Sequence, residues 1–255
     1  MISNFYKLIL LLIILCFSCD SNKNEGYKNG IVVSAKIEAS KAGIDILKQG
    51  GNAFDAMIAT DLALSVVYPN AGNLGGGGFL VYRLSDSSYG SLDFREKSPS
   101  SATKNMYLDE NGNEIEGLST SGALSIGIPG TVAGIFKVYE KYATLPLNLL
   151  FEPAIKLAEN GYILTEKQAN SLNYNRNTIN KLNDTILLFS KKFNKGDLFI
   201  NKALGKTLRL ILKNGRDEFY RGSISKNIIN YVNSRNGILR EEDFENYEAV
   251  WREPI

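Results

Sequence analysis

A cluster of glycines between two apolar stretches constrains the fold of this chain more than any other feature. Residues 75–78 are four consecutive glycines, and each loses more backbone freedom on folding than any other residue would. Glycines are used where the backbone needs a positive φ or where another group approaches the main chain closely. Because the sequence on both sides is apolar, the cluster is not typical of a flexible linker. We expect the chain to turn here from a buried helix into a central strand.

The apolar pattern predicts the elements on either side of the cluster. Residues Ala53–Val67 are apolar nearly all round, which is typical of a buried helix, and Asn52 is placed to cap its N-terminus. Residues 79–84 and 90–94 predict two strands joined by a hairpin turn. Elsewhere we expect strands at 31–33 and from Trp251 onward. We expect a helix that residues 127–131 introduce and that ends at 139, and helices that begin at 165 and at 240. Further helices are expected at 37–49, Leu147–Asn160, 203–212 and 223–232.

Composition excludes several classes of function. The 255 residues include no histidine, so this chain contains no Ser-His-Asp triad, histidine-ligated zinc site or histidine general base. The formal net charge is +2 without a long basic run, which gives no electrostatic footprint for nucleic acid. The only cysteines, Cys16 and Cys19, lie in the first twenty residues. None is left for a disulfide or a metal site in the body of the protein.

The glycine cluster does not match a nucleotide-binding motif. A P-loop needs Lys and Ser or Thr directly after its glycines, whereas Phe79 and Leu80 follow here. A dinucleotide fingerprint places its glycines between a strand and the next helix, whereas the order here is helix, glycines, strand. We therefore expect no nucleotide and no other cofactor.

The N-terminus has the features of a targeting segment. Residues 1–18 combine Lys7 with an apolar run too short to span a bilayer. A serine precedes Cys19, an arrangement that resembles a bacterial lipoprotein signal, in which the cysteine becomes the lipidated N-terminus. Plain secretion with cleavage nearby is the alternative. We expect a signal peptide at 1–18, a polar tether at 19–29 and one domain at 30–255, in a protein exported to the periplasm or cell envelope and held at the membrane through Cys19.

Arg95 is the candidate site residue that the pattern of residue types offers. It follows the second predicted strand of the hairpin and lies between Asp93 and Glu96. One interpretation is a structural ion pair with a neighbouring carboxylate. The other is that its planar guanidinium binds a substrate carboxylate through two hydrogen bonds and so positions a small zwitterion for attack by another group. Residue types alone leave both interpretations open.

Six stretches, including the glycine cluster and the segment with Arg95, occur in one order between about residue 30 and the end of the chain, with spacing typical of a single family. They are Gly50-Gly51-Asn52-Ala53-Phe54-Asp55-Ala56, Pro69-Asn70-Ala71-Gly72-Asn73-Leu74-Gly75-Gly76-Gly77-Gly78-Phe79, Asp93-Phe94-Arg95-Glu96-Lys97-Ser98-Pro99, Gly127-Ile128-Pro129-Gly130-Thr131-Val132-Ala133-Gly134, Pro153-Ala154-Ile155-Lys156-Leu157-Ala158 and Gly215-Arg216-Asp217-Glu218-Phe219-Tyr220-Arg221-Gly222. Together they resemble the γ-glutamyltranspeptidases, also called glutathione hydrolases.

The resemblance implies a fold and a chemistry. The fold would be α+β, the αββα sandwich of the N-terminal-nucleophile hydrolases, with residues 30–255 as an incomplete large subunit. A precursor of this family cuts itself into a large and a small subunit. The N-terminal threonine of the small subunit attacks the γ-glutamyl amide, with its own α-amine as the base. The γ-glutamyl group then passes to water or to an amino acid or peptide acceptor. Glutathione and related compounds are the expected substrates, and the small subunit is the expected partner.

By position, Arg95 matches the arginine with which the family binds the α-carboxylate of the γ-glutamyl group. No threonine of this sequence matches the family nucleophile, so we expect no catalytic residue and no metal site in this chain. The processing site, the nucleophile and the oxyanion hole would lie beyond Ile255. Two alternatives remain: a truncated, non-catalytic remnant, and an exported lipoprotein that binds γ-glutamyl compounds or glutamate.

Overall fold

The computed structural model describes residues 29–183 and 187–254. A first unit ends at Ile31, and a second unit, from Val32 onward, holds every element named below. The predicted signal peptide and Cys19 lie outside the described residues, as does the tether apart from Asn29. Within the described part of the chain, no helix has the length and apolar character needed to cross a membrane.

Helices account for most of the regular structure. They are α1 (Ile37–Lys48), α2 (Ala53–Val67), α3 (Thr131–Tyr142), α4 (Leu147–Asn160), α5 (Glu166–Tyr174), α6 (Arg176–Leu182), α7 (Lys202–Asn214), α8 (Arg216–Tyr220), α9 (Ser223–Asn233) and α10 (Glu241–Glu245). The strands are β1 (Phe79–Arg83), β2 (Tyr89–Asp93), β3 (Tyr162–Ile163), β4 (Leu198–Phe199) and β5 (Val250–Arg252). Short 3₁₀ turns occur at Ala123–Ser125 and Leu188–Ser190.

Helix α2 lies at the centre of the helical packing. The Asn52 side chain accepts hydrogen bonds from the backbone N–H groups of Phe54 and Asp55, and the Asp55 carboxylate accepts one from the Asn52 N–H. This capping box satisfies donors that a helix start leaves unpaired. Gly43 on α1 lets the two helices approach so closely that a Cβ at this position would collide with the Thr60 hydroxyl of α2. The predicted buried helix is confirmed with both of its ends.

Three antiparallel strands form a sheet in the order β1-β2-β5. Leu80, Leu92 and Trp251 are paired across it and lie on one face, which packs against the apolar core. The opposite face carries Phe79 and Val81, which are 63% and 71% exposed. The sheet is therefore covered on one side and open on the other within the described residues.

A group of aromatic side chains holds the covered face of the sheet against the helices. The ring of Phe54 on α2 stacks on Tyr142 at the end of α3, with 4.3 Å between ring centroids. Tyr82 of β1 and Trp251 of β5 both meet the Tyr142 ring edge to face, and the hydroxyl groups of Tyr82 and Tyr142 share a hydrogen bond. The position of the sheet is thus set from α2 and α3 together.

Two predictions about strands are wrong. Residues 31–33 form no strand, because no described strand lies beside them and the Val33 side chain is 82% exposed. Strand β1 is an edge strand of the described sheet and not a central one. The other predicted elements are present, with ends that differ by a few residues.

Candidate functional site

The segment 94–96, which continues β2, fits into a space that the glycine cluster leaves open. The backbone of Phe94 exchanges two hydrogen bonds with Gly78, of 3.0 and 3.3 Å. A Cβ at Gly77 would lie 2.4 Å from the Phe94 carbonyl oxygen and 2.8 Å from the Glu96 nitrogen, and both distances are too short for a real Cβ atom against backbone. The sequence predicts that another group approaches the main chain closely at these glycines. A Cβ at Gly72 would lie only 2.9 Å from the Leu64 Cβ of the buried helix, whereas Gly77 accommodates the backbone that carries Arg95.

A second glycine-containing loop closes around the same segment. The Gly76 carbonyl accepts hydrogen bonds from the N–H groups of Gly130 (2.8 Å) and Thr131 (3.1 Å). Lys97 and Ile128 pair through two backbone hydrogen bonds of 3.2 and 2.7 Å. The first turn of α3 is therefore tied to the glycine cluster, and the segment with Arg95 runs between the two.

The main chain of Arg95 is fixed on both sides, while its side chain remains exposed. Its N–H donates to the Asp93 carboxylate at 3.0 Å, and its carbonyl accepts from the Tyr247 hydroxyl at 2.7 Å. The guanidinium-bearing side chain is 68% exposed, and its Nε donates to Glu96 at 3.2 Å. Among the described residues, Glu96 is the only partner of that guanidinium.

The neighbouring carboxylates show what kind of ion pair Arg95 forms. Asp93 pairs with Arg252 on β5, at 2.8 Å, and not with the Arg95 side chain. The hydrogen bond from the Arg95 N–H, followed by that from Arg252, lowers the pKa of Asp93. The Arg95–Glu96 pair is solvent-exposed, and such pairs contribute little to stability. Arg95 is therefore not a buried structural ion pair.

Sequence patterns missed the residues that hold this segment from the far end of the chain. Tyr247 contacts Arg95, and Arg252 contacts Asp93 directly before the segment, in each case from more than 150 positions away. Nothing in their local sequence indicates that contact, although β5 was predicted from Trp251. No group of three or more Cys, Asp or Glu side chains in the described part of the chain is arranged to hold a metal ion.

Comparison with known proteins identifies the family. The family model described as Gamma-glutamyltranspeptidase matches residues 39–255. The chain belongs to this family. The glutathione hydrolase proenzyme of Pseudomonas sp. (strain A14) is 42% identical over 234 residues, which are 90% of this chain and 41% of that protein. The glutathione hydrolase proenzyme of Escherichia coli (strain K12) is 41% identical over 232 residues, 89% of this chain and 40% of that protein.

Solved structures agree with the match in sequence. The crystal structure of the Helicobacter pylori gamma-glutamyltranspeptidase superposes with a TM-score of 0.86 at 43% identity, covering 89% of this chain and 66% of that one. The predicted family and the α+β N-terminal-nucleophile hydrolase fold are thus confirmed. This gamma-glutamyltranspeptidase chain spans about two fifths of the length of the curated relatives it matches.

Proposed function

We propose that this chain is the N-terminal part of a proenzyme with γ-glutamyltransferase and glutathione hydrolase activity. The observation that carries the proposal is the match along nearly the whole chain to relatives named glutathione hydrolase proenzymes, at up to 42% identity. The partner we propose is the small subunit of the same precursor, and the proposed substrates are glutathione and related γ-glutamyl compounds.

The role proposed for Arg95 is to bind the α-carboxylate of the γ-glutamyl group. Its guanidinium is exposed, and its Nε–H donates a hydrogen bond to the Glu96 carboxylate. The two terminal nitrogens have no hydrogen-bond partner among the residues described. They present the parallel N–H groups that fit a carboxylate through two hydrogen bonds. Its fixed main chain would hold that fork in one place.

The chemistry itself would come from the other subunit. The hydroxyl of its N-terminal threonine would attack the carbonyl carbon of the γ-glutamyl amide, and its α-amine would take the hydroxyl proton and deliver it to the leaving amine. Water or an acceptor amine would then release the γ-glutamyl group from the threonine. Arg95 contributes binding and orientation, which make attack effectively unimolecular. No catalytic group of this chain takes part.

Export belongs to the same proposal. Residues 1–18 would direct the protein to the periplasm or cell envelope, and lipid on Cys19 would anchor it at the membrane. Labelling with a radioactive fatty acid tests the anchor, because Cys19→Ser should abolish incorporation while export continues. Incorporation that persists in that variant would exclude Cys19 as the lipidated residue.

The first test is the reading frame beyond codon 255. An in-frame continuation with the threonine motif supports a proenzyme, whereas a stop codon there contradicts it and favours a non-catalytic remnant. The isolated 255-residue chain should not turn over a γ-glutamyl anilide. Measurable turnover would mean that the chain contains a nucleophile of its own. Calorimetric titration with glutamate then tests the binding alternative, which requires affinity that Arg95→Ala removes.

In the precursor, Arg95→Ala should raise KM for γ-glutamyl substrates while leaving self-cleavage intact. We expect an increase of about 10- to 100-fold, because hydrogen bonds to charged groups contribute roughly 1.5–3 kcal/mol. Arg83→Ala is the matched control, since Arg83 is an exposed arginine of β1 that hydrogen-bonds only locally, to Ser87. Unchanged kinetics in the Arg95 variant would contradict the proposed role.

A further inference from the structure

The Tyr247 side chain reaches the Arg95 main chain from the opposite end of the sequence. Tyr247 follows α10 and is 1% exposed, so its hydroxyl lies inside the protein. That hydroxyl donates to the Arg95 carbonyl at 2.7 Å. Burial raises the pKa of Tyr247, so the phenol stays protonated and remains a donor at neutral pH. A buried donor of this kind fixes the carbonyl it contacts.

A stack of aromatic rings holds Tyr247 in place. Its ring lies on that of Tyr220, with centroids 5.5 Å apart and an angle of 10° between the planes. The Tyr220 hydroxyl donates to the Pro129 carbonyl at 2.8 Å and accepts from the Ala133 N–H at 3.1 Å. The pair therefore connects the Arg95 carbonyl to the start of α3.

Two further contacts restrict Tyr247. Arg216 donates to the Tyr247 carbonyl, and the Lys97 ammonium lies 5.0 Å from the centre of its ring. A Cβ at Gly130 would collide with both the Tyr247 hydroxyl and the Phe94 carbonyl. Glycine at position 130 thus leaves the space through which the hydroxyl reaches Arg95.

From these contacts we infer that Tyr247 is a positioning residue for substrate binding: its hydroxyl fixes the Arg95 carbonyl and thereby the point on the main chain from which the guanidinium side chain projects. Asp93 fixes the N–H of the same residue at 3.0 Å, so the main chain of Arg95 is held from both sides. This inference rests on the proposed role of Arg95 in carboxylate binding. Tyr247 itself would not touch the substrate.

Kinetics of the precursor test the inference through Tyr247→Phe, which removes only the hydroxyl. We expect KM for γ-glutamyl substrates to rise about fivefold, the effect of losing one ordinary hydrogen bond, with kcat nearly unchanged. Tyr162→Phe is the matched control, because Tyr162 is also buried and its hydroxyl donates to the Val66 carbonyl at 3.5 Å. In an Arg95→Ala background, Tyr247→Phe should add nothing to KM, since the hydroxyl acts only through Arg95.

The outcomes separate the two proposals. If Arg95→Ala leaves KM unchanged, the proposed function of Arg95 is wrong. If Arg95→Ala raises KM while Tyr247→Phe does not, only the positioning role is overturned. A Tyr247→Phe variant that lowers kcat alone, or that raises KM equally with and without Arg95, would also overturn it.

The 255-residue chain itself allows a second test that needs no activity. Trypsin cleaves after arginine, and cleavage at Arg95 requires the main chain there to open. Tyr247→Phe should keep the fold and accelerate cleavage after Arg95 several-fold relative to wild type, while Tyr162→Phe should not. Mass spectrometry of the fragments measures the cleavage rate. An unchanged rate after Arg95 would overturn the inference.

If cleavage at every tryptic site of Tyr247→Phe accelerates together, the fold as a whole has loosened. The KM comparison with and without Arg95 then decides the inference, because a general loosening raises KM equally in both backgrounds and overturns the positioning role.

Discussion

Asp55 connects a helix start to a loop that lies far away in the sequence. Its buried carboxylate accepts hydrogen bonds from the Asn52 N–H at 2.8 Å and from the Thr144 hydroxyl at 2.6 Å. The N–H groups of Thr144 and Leu145 donate to it as well. Burial alone would raise the pKa of Asp55, but these hydrogen bonds outweigh burial and lower it. The carboxylate is therefore stabilised in its charged form.

Asp55→Asn should lower the free energy of unfolding at pH 7 by about 1–3 kcal/mol, because buried donors lose a charged acceptor. The pKa of Asp55 is lower in the folded than in the unfolded chain, so its contribution to stability is complete only above about pH 5. It is lost as the pH falls through the lowered value. Urea unfolding from pH 7 to pH 3 should show wild type and variant converging at low pH. Glu110→Gln, at an exposed turn glutamate, is the control, and a difference that does not depend on pH would contradict this account.

Sequence could predict half of this residue's role. A residue such as Asn52 before an apolar helix indicates an N-cap, and the capping box with Asp55 follows from local spacing. Thr144 lies 89 residues away, and no local pattern relates two such positions. The same limit applies at the site, where Arg95 was found from its neighbours but Tyr247 was not.

At the scale of elements, the glycine cluster was predicted to allow a close approach to the main chain. Its glycines differ in which neighbouring atoms lie where a side chain would be. A Cβ at Gly77 would meet the backbone of residues 94–96, which cannot move without displacing Arg95. A Cβ at Gly75 would meet only the Asn73 side-chain oxygen, at 3.2 Å. A run of glycines in the sequence indicates that another group approaches the main chain closely somewhere in the run. Which glycine is needed for that approach depends on the position of the partner strand.

Gly77→Ala should destabilise the fold by about 1–3 kcal/mol, the usual range for overpacking, and it should shift the segment that carries Arg95. Gly75→Ala in the same cluster should change stability by less than about 1 kcal/mol, since loss of unfolded-state freedom offsets a mild contact. Thermal or urea unfolding of both variants measures the difference. Equal destabilisation by the two substitutions would show that the cluster matters for backbone conformation and not for this contact.

At the scale of the whole molecule, the family match predicted the fold better than any element did. The hairpin, the helices and β5 were read from local patterns, but their arrangement in an N-terminal-nucleophile hydrolase fold came from the order of motifs. Within the described part of the chain, the structure adds what no motif showed, a sheet with one face covered by helices and the other open. On the open face, β1 is an edge strand with apolar side chains in contact with solvent.

An open apolar sheet face with an unpaired edge should make the isolated chain associate with itself. Exposed apolar patches and free strand edges are both templates for association, and Phe79, Val81 and Tyr89 are 63%, 71% and 64% exposed. Val81→Lys should reduce self-association, because a charged residue on an edge strand opposes pairing. Light scattering over a range of concentrations would measure the effect.

Val33→Lys is the matched control for that experiment, since Val33 is 82% exposed but lies outside the sheet. Both substitutions add one positive charge and remove one exposed valine, so they differ only in place. If association depends on the open sheet face, Val81→Lys shifts the chain towards monomer and Val33→Lys does not. Equal effects would mean that net charge controls solubility here, and the open face would then not be the surface through which the chains meet.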